Sequence, residues 1–308
     1  MRADGTFDRR DTSFLSQGLR CAAWYYLPAG REPGERRPAI VMAHGYSGVK
    51  EQYLDNFASR FAAAGFVVLV FDYRFLGASE GEPRQQVLWY EQILDYRNAI
   101  AWILLQPEVD PARVGVWGTS YSGGHVMHLA AFDKRIKAVV AQVPAVSTWN
   151  AYFAGLPPER IAQAAMSHAA ARTERMTTGR IQYSAVVAPP GQPCVMTSPA
   201  AQEFFLRSSA MAPNWQNRVT VESLEAGMSY DPSQFIELVS PTPLLMIIAN
   251  DDEVTPTELQ VKAFARAGEP KSLVLVPGQH FDAYLGPKHP DYLTPELEWF
   301  ERHLMGSS

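Results

Sequence analysis

The sequence is poor in cysteine. Two residues, Cys21 and Cys194, stand far apart in 308 residues, and their separation matches neither a zinc-ligand nor a redox spacing. No disulfide scaffold or metal site is expected, and Cys21, inside the apolar run LRCAAWYYL, reads as a buried free thiol. Positive charge is not in excess: 27 Lys and Arg against 32 Asp and Glu give a net charge of -5. No basic run can neutralise a phosphate backbone, so nucleic acid is not an expected partner. Long apolar runs are also missing. The longest, Ala62 to Phe71, is too short to cross a bilayer and contains Gly65, so no membrane partner is expected. The opening MRADGTFDRR is polar where a signal peptide has its apolar core. These absences predict a soluble, cytoplasmic protein, without internal repeats.

What is present is a large apolar complement, 47% of the chain, enough for a substantial core. Short apolar runs alternate with helical patterns, the mark of a parallel sheet covered by helices. Leu19 to Leu27 reads as a strand in an early antiparallel hairpin. Strands follow at Ala39–Ala43, Phe66–Phe71, Val114–Trp117, Ala138–Val143, Leu244–Ala249 and Ser272–Val276. Helices are predicted over 51–65, with Tyr53, Phe57 and Phe61 on one face, and over Val87–Leu105, Pro256–Ala267 and Pro295–Leu304. Between Val146 and Gln234 the alternation breaks. Two helices are expected there, one from Pro157 with Ile161, Ala165 and Met166 inward, the other capped by Ser198 with Pro199 in its first turn. The organisation is an α/β core over 1–145 and 235–308, with an inserted cap over 146–234.

The segment RVGVWGTSYSGGHVM places Ser120 between a strand and a helix start. A serine hydroxyl needs a neighbouring base to attack, and a sharp strand-to-helix turn lifts it clear of the sheet. That turn needs small residues two before and two after the serine. Gly118 supplies the first, and Ser122 stands where glycine is usual. Of seven histidines, His280 follows the last strand, at its carboxyl end, where an imidazole can reach Ser120. His125 and His128 ride the helix after Ser120, His168 lies in the cap, His303 in the last helix, and His289 in a turn. The acid comes from NDDEVTP: Asp252 is chosen, with Asp251 as runner-up and Glu253 behind it. The order Ser120, Asp252, His280 is the one expected of a serine, acid and base carried on the loops of such a sheet. Backbone amides for a developing oxyanion are expected from Tyr121 and from Tyr46, in the loop AHGYSGVKE, which His44 braces.

HGYSGVKEQY, VLVFDYRFLGASEGEPR, VGVWGTSYSGGHV, NDDEVTP and GQHFDAY resemble segments of bacterial α/β-hydrolases. The similarity is to dienelactone hydrolase-like and X-Pro dipeptidyl-peptidase (S15)-like serine hydrolases, and to polyketide-processing hydrolases and transferases. It covers most of the chain. It implies the α/β-hydrolase fold, a nucleophile at Ser120, a base at His280, an acid at Asp252, oxyanion amides at Tyr46 and Tyr121, and no cofactor.

The activity expected is ester, lactone or thioester hydrolysis through an acyl-enzyme on a small-molecule substrate. Trp149, Tyr152, Phe153, Phe204 and Phe205 are candidates for the substrate pocket. Acyl transfer or cyclisation with the same triad, peptide cleavage, and a non-catalytic binding role stay as alternatives, and a homodimer stays open.

Overall fold

A computed structural model of the chain describes residues 7–306. Part of the expectation drawn from the polar N-terminus concerns residues 1–6, which lie outside the described residues.

The elements run β1 (Phe7–Ser16), β2 (Leu19–Pro28), β3 (Arg37–Ala43), α1 (Asp55–Ala63), β4 (Val67–Phe71), α2 (Trp89–Leu104), β5 (Val109–Thr119), α3 (Tyr121–Phe132) and β6 (Ile136–Gln142). The segment after β6 holds α4 (Thr148–Tyr152), α5 (Pro158–Thr178), β7 (Tyr183–Ser184), α6 (Pro199–Ser208), β8 (Val219–Thr220) and α7 (Val221–Met228). The chain then returns through β9 (Leu244–Ala249), α8 (Thr257–Arg266), β10 (Lys271–Val276) and α9 (His289–Phe300).

Eight strands form one sheet in the order β1-β2-β4-β3-β5-β6-β9-β10. β2 pairs antiparallel with both β1 and β4, and the pairs from β4 to β10 are parallel. A strand buried on both faces reads as a continuous apolar run. VVLVF of β4 and LLMIIA of β9 are buried at every position. Chain order reverses around β3, with β4 on one side and β5 on the other. Such a reversal opens a crevice at the carboxyl ends of the strands.

The structure departs from the sequence reading in local ways. The early antiparallel hairpin expected of Leu19–Leu27 is formed with β1, a strand that was not located in the sequence. It is held by a two-residue turn with Gln17 at φ 49° and Gly18 at φ 82°, the geometry that matches strand twist. α1 begins at Asp55, and Tyr53 sits before it at φ 66°. The preceding chain is drawn aside by Asp72, which accepts from the Lys50 amide at 2.7 Å and from its ammonium at 2.8 Å. α9 starts at His289 and runs through Pro295, because Pro290 provides the helix-start proline and a buried face holds the rest. In 146–234 there are four helices instead of two. The inward stripe of α5 is Ile161, Ala164, His168 and Ala171, while Ala165 is exposed and Met166 is 74% exposed. Bulk was a poor guide there, since the face turned inward carries small and polar side chains. Cys21 is a free, buried thiol. Among the described residues no helix is long and apolar enough to cross a membrane.

Glu296 on α9 is fully buried, and one carboxyl oxygen accepts from the Trp117 indole at 2.9 Å while the other has no partner. Burial pushes this carboxyl well above the usual range. A raised folded-state pKa contributes stability that is complete below the unfolded carboxylate pKa of about 4.3 and is lost as pH rises through the folded value. Glu296→Gln copies the neutral form. It is expected to match the parent near pH 4 and to exceed it by about 1–3 kcal/mol at pH 8, read by urea unfolding at both pH values. Equal stability at pH 8 contradicts the assignment.

Candidate active site

The strand ends bring four segments to one edge: the loop after β3, the β5–α3 turn, the loop after β9 and the loop after β10. Ser120 occupies the β5–α3 turn at φ 57° and ψ -118°, a strained conformation for a residue with a side chain. It is fixed on both sides. Its amide donates to the Gln142 carbonyl at 2.8 Å, and its carbonyl accepts from Ala145 at 2.8 Å. A Cβ at Gly118 would strike the Ser122 carbonyl, which is why glycine is required two residues before the serine.

The Ser120 hydroxyl lies 3.0 Å from His280 Nε2, and His280 Nδ1 lies 2.8 Å from Asp252 Oδ2. All three residues are buried, with Ser120 at 7% exposure. Asp252 Oδ1 accepts from the amides of Val254 at 2.9 Å and Thr255 at 2.7 Å. The Thr255 hydroxyl stands 2.8 Å from Asp252 Oδ2 and 3.1 Å from the Val143 carbonyl. It has one proton, so it serves one of them at a time. Asp251 and Glu253 are exposed, and the geometry brings Asp252 alone of the three to the imidazole.

Two backbone amides border Ser120. Tyr121 is the first residue of α3, where an N–H has no partner within the helix, and Tyr46 follows the tight Gly45. Among the described residues neither amide donates to the protein. A Cβ at Gly45 would stand 2.9 Å from Ser120 Cβ, so only glycine lets this loop approach so closely.

Ser122 shows why serine replaces the usual glycine. Its hydroxyl donates to the His44 carbonyl and accepts from the Tyr73 hydroxyl at 2.6 Å. The helix that follows Ser120 is thereby tied to the loop that carries Tyr46. The His44 ring, bonded through Nδ1 to the Gly45 carbonyl at 2.9 Å, is kept below the ordinary histidine range by burial. Tyr73 and Thr255 were not singled out from the sequence, and Ser122 was noted there only as a small residue standing where glycine is usual. A serine breaking a glycine motif was the one available signal.

The other histidines stand apart from Ser120 or do different work. His125 is held between Gln92 and Tyr230, and burial drives it well below its usual range. His128 is pushed down to about 4 by burial. His168 is buried on α5 with Nδ1 unpartnered, is held low by burial, and lines a cavity that reaches Ser120.

That cavity has a volume of about 280 Å³. Ser120, Tyr46 and Tyr121 form one end, and Tyr152, Phe153, Val195, Met196 and Leu224 contribute walls from 146–234. A second space of about 20 Å³ touches Ser120 and His280 and is bounded by Phe204 and Phe205. Trp149, the remaining aromatic candidate, borders neither and stacks on Phe153 at 5.8 Å. Among the described residues no group of three or more His, Cys, Asp or Glu is placed to hold a metal ion. The arrangement can make a serine hydroxyl nucleophilic by proton transfer to a neutral imidazole that a carboxylate orients.

Comparison with known proteins agrees with this architecture. The family model described as X-Pro dipeptidyl-peptidase (S15 family) matches residues 17–282. Thiohydrolase aneE of Aspergillus aculeatus is 32% identical, over 85% of this chain and 83% of its own length. Polyketide transferase ATR5 of Stachybotrys chlorohalonatus is 31% identical, over 96% of this chain and 98% of its own. The crystal structure of the α/β hydrolase GrgF from Penicillium sp. sh18 superposes with a TM-score of 0.84 at 28% identity, covering 97% of this chain and 100% of that one.

Proposed function

The chain belongs to the X-Pro dipeptidyl-peptidase (S15) family of α/β hydrolases, and from that premise we propose a serine hydrolase that cleaves esters or thioesters of apolar acyl groups through an acyl-enzyme on Ser120. The observation that carries the proposal is the unbroken chain of contacts from Ser120 to His280 to Asp252, at 3.0 and 2.8 Å. Ser120 attacks the acyl carbon while His280 Nε2 takes its proton. Asp252 keeps the ring oriented and stabilises its charged form. The Tyr46 and Tyr121 amides stabilise the oxyanion, each worth about 3 kcal/mol in the transition state. His280 then protonates the leaving atom, and a water activated by the same ring releases the acid. Residues 146–234 act as a cap that shapes the acyl cavity.

The lining of the cavities argues for acyl compounds over peptides. Among the described residues no Asp or Glu borders either space, so none of them would neutralise the ammonium of a peptide N-terminus. Acyl transfer is the second reading, favoured by the resemblance to a polyketide transferase over nearly the whole chain. It uses the same attack with an alcohol or carbanion in place of water, and product analysis by mass spectrometry separates the two.

A fluorophosphonate probe tests the core claim. We expect one adduct per chain, located by peptide mapping at Ser120. Failure of the folded protein to label, or labelling at another residue, contradicts the proposal.

A further inference from the structure

Two spaces meet at Ser120, and the route of the proton tells them apart. The imidazole that takes the serine proton must hand it to the departing atom, so the leaving group lies on the side of His280. His280 borders the space of about 20 Å³ and not the cavity of about 280 Å³. The large cavity therefore receives the acyl part, and the small one receives the first atoms of the leaving group. A single water needs about 10–15 Å³ of such space, so the leaving-group side is little more than water-sized.

Its far wall is aromatic and braced. Phe204 stacks on Phe281 with ring centroids 4.5 Å apart, and Phe205 stacks on Trp215 at 5.0 Å. The Trp215 indole donates to the Ser47 carbonyl at 3.1 Å, and Gln52 donates to Ser208 at 2.7 Å. Both bonds fasten 198–215 to the loop that carries Tyr46, so the wall does not yield easily to a bulky group.

Building on the acyl-enzyme reading above, we infer that Phe204 and Phe205 determine leaving-group specificity: the substrates are acyl compounds with a large apolar acyl part and a slender, unbranched alcohol or thiol. In the first step the bond from the acyl carbon to that oxygen or sulfur breaks, and His280 supplies the proton that frees it. In the second step water attacks the acyl carbon, His280 takes a proton, the bond to Ser120 Oγ breaks, and the proton returns to Ser120. Microscopic reversibility gives the wall a second role. An alcohol that cannot leave past it cannot enter past it, so the acyl-enzyme accepts water and slender alcohols and refuses bulky ones.

The test uses the full chain and one acyl group, carried as its n-propyl and benzyl esters. The ratio of kcat/KM for benzyl to propyl is expected to rise by about tenfold or more in Phe204→Ala and in Phe205→Ala, and comparing ratios cancels intrinsic ester reactivity. Phe204→Leu keeps the core filled should the alanine variants not fold. The unaltered protein gives an independent reading. Supplied with an acyl thioester and equal n-propanol and benzyl alcohol, it is expected to yield propyl ester over benzyl ester by about tenfold. Equal yields, or ratios that stay unchanged in folded variants, overturn the inference alone, provided the intact protein shows the mass of an acyl group on Ser120. Absence of that acyl-enzyme overturns the underlying reading together with it.

Discussion

Ser120→Ala is expected to lower kcat for an acyl thioester by a factor of about 10⁵–10⁶, with thiol release as the readout. The size of the loss follows from the geometry. The substitution leaves the backbone at φ 57° and removes only the oxygen that stands 3.0 Å from His280. The Tyr46 and Tyr121 amides and the cavity survive, so under the proposed mechanism the variant would keep binding and oxyanion stabilisation but could not form the covalent intermediate. Its melting temperature should stay near that of the parent, because the turn is fixed by backbone bonds to Gln142 and Ala145. Activity within tenfold of the parent would mean that Ser120 is not the nucleophile.

Asp252→Asn is expected to cost about 10⁴-fold in kcat. An asparagine amide can present N–H to His280 Nδ1, which moves the ring proton to Nε2 and leaves no acceptor facing Ser120. The loop should hold its shape, since the amides of Val254 and Thr255 keep an oxygen to bond. Asp251→Asn is the matched control. Asp251 is exposed, and its neutralisation should change kcat by no more than a factor of about two. If Asp251→Asn were the crippling change and Asp252→Asn the mild one, the choice between adjacent carboxylates would be reversed.

The choice between those carboxylates shows where sequence reasoning reached its edge. Strand runs such as FVVLVF and LLMIIA revealed the sheet because burial on both faces leaves no polar position to confuse the pattern. The order of serine, acid and histidine followed from which loops leave the carboxyl ends of those strands. Within NDDEVTP, however, the side chain that turns inward depends on how the two amides after Asp252 fold back on its carboxylate, and no residue pattern encodes that turn. The segment 146–234 was harder for a different reason. Its helix α5 offers its neighbours a stripe of Ile161, Ala164, His168 and Ala171, which carries too little apolar contrast to phase a helix, so Met166 was assigned to the wrong face. An early antiparallel hairpin was expected, but β1, its first strand, was not located because its outward positions carry the charges that the sequence displays.

The bond from the Ser122 hydroxyl to the His44 carbonyl has a consequence for laboratory evolution. It couples the Ser120 turn to the loop bearing the Tyr46 amide, so in the proposed mechanism the reacting groups travel as one block within the core. Much of the cavity wall comes from another stretch of chain, 146–234. Mutant libraries confined to that stretch can explore new acyl groups while the reactive geometry is inherited unchanged. Libraries that reach Ser122 or Gly45 disturb both amides and the serine at once, and their yield of active clones should fall accordingly.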